Sequence, residues 1–176
     1  GRLEQARGGT LFLDEVADMD LDVQAQLLGA LETGSFLRVG GVEPVRIDIR
    51  IIAATGRNLE DEVEAGRFRK ELFYQLNVVP VHIPALREHP EDVNEILEFY
   101  SSYYATHERL PYRRFDVGAQ NFLRQYEWPG NIRELKNLVQ RLMILGNSEG
   151  IGVDEVAAAS RYDPWFVAEM AALVAE

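Results

Sequence analysis

Residues 8–19 read GGTLFLDEVADM and decide how the front of this chain is interpreted. The apolar run from Leu11 to Leu13 stops at two adjacent carboxylates, Asp14 and Glu15. A buried strand that emerges into solvent accounts for this pattern. In an open α/β sheet, however, the carboxyl ends of strands are where ligands bind, so one carboxylate could hold hydrated Mg²⁺ while the other polarises a water. The stretch alone leaves both interpretations open.

The composition limits the class of protein. With 176 residues, the chain has room for one substantial core, alone or with a small satellite domain. Its 18 Lys and Arg against 29 Asp and Glu give a formal charge of -11, which opposes non-specific attraction to nucleic acid. We therefore expect DNA to be contacted only through a separate domain, and any role in transcription to run through protein partners.

The same composition narrows the chemistry and the location. There are no cysteines, which excludes disulfides and thiolate metal sites, and the histidines at 82, 89 and 107 lack ligand spacing. No segment approaches the roughly 18 apolar residues of a membrane span, and no signal peptide pattern opens the chain. We expect a cytoplasmic protein without membrane contact. The opening GRLEQARGG lacks an initiating Met and suggests a fragment of something longer.

The first half of the chain has the pattern of an α/β domain. A helical stripe within residues 20–31 predicts burial of Val23, Leu27, Leu28 and Leu31. SFLRVGGVEPVRIDIR predicts a hairpin around its Gly pair, whose second arm runs on into the apolar IIAAT of a sheet interior. NLEDEVEAG and FRKELFYQLN predict two short helices, and VVPVHIP predicts a strand that Pro80 confines to an edge. The order indicates an α/β fold with pieces missing at the front.

From Pro90 onward the pattern is helical, and we expect a boundary near residues 87–89. A helix follows Pro90, a second starts at Asp116, and a third starts in WPGNIRELKNLVQRLMIL, where Asn131 and Glu134 predict a capping box. The apolar DPWFVAEMAALVA predicts a final helix that docks on a neighbour. The expected core positions are Val93, Ile96, Leu97, Tyr100 and Tyr104 on the first helix, Phe122, Leu123 and Tyr126 on the second, and Ile132, Leu135, Leu138, Val139 and Leu142 on the third.

Five motifs stand in one order: GGTLFLDE, LRVGG, RIIAAT, GRFRKELFYQLNVVPVHIPALRE and WPGNIRELKN. Together, over about residues 1–147, they closely resemble the AAA+ ATPase domain of sigma-54-dependent transcription activators, including response regulators of the NtrX kind. The resemblance implies an incomplete AAA+ P-loop NTPase core, a parallel sheet with flanking helices, in residues 1–88. A helical lid would follow in residues 89–147, and a helical extension or linker in residues 148–176.

The resemblance also implies a function and a set of site residues. The family forms rings that use ATP and Mg²⁺ to remodel RNA polymerase bound to sigma-54. LFLDE is similar to Walker B, with Asp14 organising Mg²⁺ through its water and Glu15 activating the attacking water. IIAAT is similar to sensor I with Thr55, and FRKEL carries Arg69 at an arginine-finger position that serves the neighbouring subunit. GNIREL is similar to sensor II, with Arg133 reaching the nucleotide of its own subunit.

Simpler interpretations of three of these residues remain. Thr55 could be a strand-end residue whose hydroxyl bonds its own backbone. Arg69 could be an exposed cation close to acidic residues such as Glu62 or Glu64, and Arg133 a solvated arginine on a helix face.

The chain also departs from the family. It contains neither G-x-x-x-x-G-K-[ST] nor GAFTGA, both of which precede Gly1 in the family order, so we expect a truncation and no ATP hydrolysis by this fragment alone. Gly56 replaces the Asn of sensor I, and Gln75 falls where the family has a second arginine. These losses leave an alternative, an ATPase-weakened regulatory module acting through nucleotide binding and protein contacts. A carboxylate metal hydrolase built on Asp14 and Glu15 would lack further spaced ligands.

Overall fold

The computed structural model describes residues 1–38 and 40–160. The chain divides into two units, Gly1–Val81 and His82–Glu176. The predicted helix in residues 163–175 lies outside the described residues. Within the described part, no helix is long and apolar enough to cross a membrane.

The first unit alternates helices and strands. Its elements in chain order are α1 (Arg2–Gln5), β1 (Thr10–Leu13), a 3₁₀ turn (Val16–Asp18), α2 (Leu21–Thr33), β2 (Ser35–Leu37), β3 (Pro44–Arg46), β4 (Arg50–Ala53), α3 (Leu59–Glu64) and α4 (Lys70–Leu76). The two short helices α3 and α4 confirm their prediction from sequence. A small core of Val16, Leu27, Phe68 and Leu72 holds the unit together.

Strands β1 and β4 pair in parallel, with Thr10 opposite Arg50 and Leu13 opposite Ala53. Because the pairing is parallel and in register, the chain leaves both strands at the same edge. Strands β2 and β3 form the predicted antiparallel hairpin, with Phe36 opposite Val45. The hairpin arm does not run on into β4 as one strand, since residues 47–49 lie outside both ladders.

Helix α2 differs from its prediction on one face. Val23 is 46% exposed, whereas Gln24 is fully buried beside Leu27 and Ala30. The apolar stripe pointed to Val23 because an amide is normally a solvent-facing residue. In the structure Gln24 takes the buried position, and both its amide protons and its carbonyl oxygen are hydrogen-bonded within the protein.

The predicted strand in residues 78–84 is wrong. This stretch, all of it described, forms neither a helix nor a strand, and Val79 is 79% exposed. A strand needs a neighbour to take its backbone hydrogen bonds, and Pro80 has no N–H to offer one. High β-propensity without a ladder partner is therefore insufficient here.

The second unit is mainly helical, as predicted. It contains a 3₁₀ turn (Leu86–Glu88), α5 (Asp92–His107), β5 (Arg114–Phe115), α6 (Val117–Arg124), α7 (Asn131–Leu145), β6 (Gly150–Ile151) and α8 (Val153–Ser160). The short parallel pair β5 and β6 was not predicted. Most expected core positions are buried, together with Trp128, Ile151 and Val156, but Ile132 is 47% exposed, which corrects its assignment to the buried face.

The start of α7 corrects the predicted cap. Gly130, not Asn131, is the residue that precedes the helix, and Asn131 itself has φ of 50°. The Asn131 side chain instead accepts a hydrogen bond from the Leu86 N–H at 2.8 Å. Glu134 does reach back, accepting from the Gly130 N–H at 2.8 Å and from the Tyr126 hydroxyl at 2.8 Å. The carboxylate half of the capping box is therefore present and the amide half is not.

A buried arginine connects the last described elements of the second unit. Arg113 is 1% exposed and forms an ion pair with Glu155 at 2.6 Å. Its guanidinium also donates to the carbonyls of Leu142, Ser148 and Gly150. These contacts tie β6 and α8 to the last turn of α7.

Candidate functional site

The carboxyl ends of β1 and β4 form one edge. The Ala54 N–H donates to the Leu13 carbonyl at 2.8 Å, and the Val16 N–H donates to the Ala54 carbonyl at 2.9 Å. These two bonds prolong the parallel pairing past the strands. They bring the Asp14–Glu15 pair alongside the segment that starts at Thr55.

Glu15 has an unusual backbone at this edge. Its φ of 49° and ψ of 50° lie in the left-handed region, which costs a non-glycine residue about 1–2 kcal/mol. Such conformations concentrate at functional sites. The Glu15 N–H donates to Asp14 Oδ1 at 3.1 Å, and Glu15 Oε2 accepts from the Gly56 N–H at 3.2 Å. Both carboxylates are exposed, so a ligand could reach them from solvent.

The Thr55 side chain makes the local contact that the simpler interpretation expected. Its hydroxyl accepts a hydrogen bond from the Arg57 N–H at 3.1 Å, two residues along the chain. A hydroxyl also has a proton to donate, so this bond leaves it able to contact a phosphate oxygen or water. Thr55 is half-buried at the same edge as Glu15.

A series of ion pairs extends from the residues next to this edge to helix α3. Arg57 pairs with Asp18 at 2.6 Å and approaches Glu62 at 3.8 Å. Glu62, which is buried, accepts two hydrogen bonds from Arg67, at 2.6 and 2.9 Å. Hydrogen bonding from Arg67 lowers the pKa of Glu62 against the opposing effect of burial. Sequence reasoning missed Arg57 and Arg67, since nothing local distinguishes them from solvated arginines.

Arg69 lies immediately before α4 and contacts α2. Its Nε donates to the Leu21 carbonyl at 3.1 Å, and its backbone N–H donates to Gln24 Oε1 at 2.8 Å. The simpler interpretation had placed Arg69 near Glu62, but Arg67 takes that carboxylate. Gln75 is exposed on α4.

The structure therefore brings Asp14, Glu15 and Thr55 together. Arg69 belongs to the same unit at a different place, and Arg133 is an exposed residue of α7 in the second unit. Among the described residues, no group of three or more His, Cys, Asp or Glu side chains could hold a metal by itself. Asp14 nevertheless suits Mg²⁺, which keeps most of its waters and binds proteins through one or two carboxylates.

Comparison with known proteins gives the class and then the family. The fold is that of an AAA+ ATPase: the solved structure of NtrX from Brucella abortus in complex with ATP is 41% identical, with a TM-score of 0.84 over 89% of this chain and 37% of that one. Residues 1–82 match the sigma-54 interaction domain, and residues 87–164 match the AAA+ ATPase lid domain. The chain belongs to the sigma-54 interaction family of AAA+ domains, which confirms the resemblance inferred from its motifs.

Two curated relatives agree with this assignment. The transcriptional regulator NtrC of Azospirillum brasilense is 48% identical over 158 residues, which are 90% of this chain and 33% of that protein. The nitrogen assimilation regulatory protein NtrX of Azorhizobium caulinodans is 44% identical over 149 residues, or 85% of this chain and 33% of that protein. The chain thus spans about a third of the length of these relatives.

Proposed function

We propose that the chain is part of the ATPase domain of a sigma-54-dependent transcriptional activator, which uses ATP hydrolysis to remodel the closed complex of sigma-54 RNA polymerase. Family membership supports the class of protein. The observation that carries the proposal is the edge at which Asp14 and Glu15 follow one parallel strand and Thr55 follows its neighbour. Such an edge is where α/β sheets bind their ligands.

Each residue at the edge has a role in this proposal. Asp14 would hold hydrated Mg²⁺, and bound Mg²⁺-ATP would supply the phosphoanhydride and the charge of the metal. Glu15 orients the attacking water and accepts its proton, using the carboxylate that the Gly56 N–H holds in place at 3.2 Å. Thr55 contributes a hydroxyl beside it. The ATP bound to the NtrX of Brucella abortus supports the choice of nucleotide.

Two arginines complete the proposed machinery. Arg69 acts as the finger on the site of a neighbouring subunit, because a planar guanidinium can meet phosphate oxygens in two places. Arg133 acts as sensor II on the nucleotide. A finger that works in the neighbouring subunit requires the parent protein to self-associate, and a closed ring gives every site a finger. We place that ring in the cytoplasm, with DNA bound through a separate domain.

The test uses the intact parent protein and its ATPase rate. Glu15→Gln keeps the size of the side chain and an oxygen for Gly56 but removes the proton acceptor, so turnover should fall by about 10²–10⁴-fold. Glu32→Gln neutralises an exposed carboxylate on α2 and should leave turnover unchanged. Activation of sigma-54 RNA polymerase should fall together with ATPase activity. Equal and negligible ATPase rates in wild type and Glu15→Gln would sink the motor hypothesis.

That negative outcome is what the second candidate predicts. An ATPase-weakened module would bind nucleotide and self-associate without turnover. Two residues favour this second candidate. Gly56 leaves no side chain beside Glu15, and Gln75 is exposed on α4 at the position of a family arginine. Nucleotide binding by calorimetry, measured beside turnover, separates the two candidates.

A further inference from the structure

Gln24 is the fully buried polar residue of α2 and uses its whole amide. It is 0% exposed. Its Nε2 donates to the Met19 carbonyl at 2.8 Å and to the Arg67 carbonyl at 3.0 Å. Its Oε1 accepts from the Arg69 N–H at 2.8 Å. Both amide protons and the carbonyl oxygen are therefore engaged with backbone groups.

The partners of Gln24 belong to two segments that matter for the proposed function. Met19 immediately follows the short 3₁₀ turn that comes after Glu15. Arg67 and Arg69 flank Phe68, which is 2% exposed and packs in the core of the same unit. One side chain thus joins the segment leaving the carboxylate edge to the segment that carries the proposed finger.

A purely structural residue at this position would not need an amide. Burying an amide costs free energy unless every hydrogen bond is made, and a methionine would fill a similar volume without that cost. The amide instead holds carbonyl and N–H groups 43 and 45 residues further along the chain. Its function is therefore to fix the position of a backbone segment, besides filling space.

We infer that Gln24 is a positioning residue for Arg69, fixing the backbone from which the finger arginine reaches the site of the neighbouring subunit. Helix α2 supplies a second contact, since Arg69 Nε donates to the Leu21 carbonyl at 3.1 Å. Backbone and side chain of Arg69 are thus both held by the first turn of α2. This inference rests on the proposed function, in which Arg69 acts in trans.

The first measurement is ATPase turnover of the intact protein carrying Gln24→Met. Misplacing a catalytic group by about 1 Å can cost about 10²-fold in rate, and we expect a loss of that size. Nucleotide binding and ring assembly should persist, because the residues of the subunit's own site are unchanged. Gln26→Met is the matched control: the same substitution on the same helix, two residues on and exposed, should leave turnover unchanged.

Subunit mixing distinguishes positioning from general damage. A Gln24→Met subunit keeps an intact Glu15 site and lacks a well-placed finger, whereas a Glu15→Gln subunit has the reverse defect. Mixed in equal amounts, about a quarter of the interfaces in a closed ring pair a good site with a good finger. Turnover of the mixture should therefore exceed the sum of the separate preparations. A mixture of Gln24→Met with Arg69→Ala should show no such gain.

The control mixture is Arg69→Ala with Glu15→Gln. If it fails to regain turnover, Arg69 does not act in trans, and the inference about Gln24 is overturned together with the proposed role of Arg69; the ATPase function itself is tested separately by Glu15→Gln. If it regains turnover and the Gln24→Met mixture does not, the inference about Gln24 alone is overturned. Gln24→Leu replaces Gln24→Met where the latter does not assemble: it too removes all three hydrogen bonds and buries no charge. If neither variant assembles, Gln24 is a structural residue and the inference is overturned.

Discussion

The backbone N–H of Gly56 donates a hydrogen bond to the Glu15 carboxylate at 3.2 Å, joining residues 41 positions apart in the chain. The parallel pairing of β1 and β4 makes this contact possible, since it sets the ends of the two strands side by side. Because the donor is a backbone group, the contact does not depend on which side chain stands at position 56. That position can therefore be changed without releasing Glu15.

Gly56→Asn should raise ATPase turnover of the intact protein. A Cβ at position 56 would meet Glu15 Oε1 at 4.0 Å as its nearest neighbour, which is ordinary contact, so the side chain fits. Its amide would restore a polar group beside the carboxylate, worth about 1 kcal/mol or several-fold in rate if it orients water. Gly56→Ala is the control and should give no gain. Equal rates for both variants would remove any role for a polar group here.

Gln75→Arg should increase turnover by about tenfold or more, since a complete arginine finger supplies about 10³–10⁵ in rate. The side chain is exposed on α4, so the change should leave folding intact. Gln75→Lys adds the charge without the planar fork and should yield a smaller increase. A Gln75→Arg protein no faster than wild type would mean that Arg69 suffices alone and would count against the ATPase-weakened alternative.

Glu62→Gln should destabilise the first unit in a pH-dependent way. Because the hydrogen bonds from Arg67 lower the pKa of Glu62 in the folded chain, the carboxylate stabilises the fold fully above its unfolded value of about 4.3. That contribution disappears as the pH falls through the folded pKa. In urea unfolding followed by circular dichroism, the difference in unfolding free energy between wild type and variant should shrink and then vanish as the pH falls below that unfolded value. Glu60→Gln, exposed on the same helix, should show little gap at any pH.

Arg113→Met should destabilise the second unit by about 3 kcal/mol, because breaking a buried ion pair leaves its partner groups unsatisfied. Trp128, which is fully buried in this unit, provides a fluorescence signal for its unfolding in urea. Arg114→Met removes an exposed neighbouring arginine and should stay within about 0.5 kcal/mol of wild type. Similar midpoints for both variants would show that the buried contacts of Arg113 add no net stability.

The sequence predicted those features whose cause is local. An apolar run that ends in Asp14 and Glu15 indicated the strand and its edge, and the parallel register confirms that Thr55 follows the adjacent strand. Asp116 was predicted to start a helix, and its side chain does accept from the Ala119 N–H. In each case the residues that form the sequence pattern and the structural feature that it predicts lie within a few residues of each other.

Features with distant causes were not predictable in the same way. Gln24 is buried because it hydrogen-bonds to carbonyl and N–H groups more than 40 residues away. The Asn131 side chain does not cap its own helix, because it accepts a hydrogen bond from the Leu86 N–H. Periodicity assigns both residues to solvent or to their own helix. The exposed stretch around Pro80 shows the converse, since a β-branched run becomes a strand only where another strand is available to pair with it.

The contacts of Arg113 also determine how far the second unit must extend to be complete. A polypeptide cut after residue 147 would keep this cation and lose the Ser148 and Gly150 carbonyls together with the Glu155 carboxylate. Arg141 on α7 donates in turn to the Ala159 carbonyl at 2.8 Å. The packed unit around α7 therefore reaches through α8, and residues 148–160 belong to it by their contacts with Arg113 and Arg141.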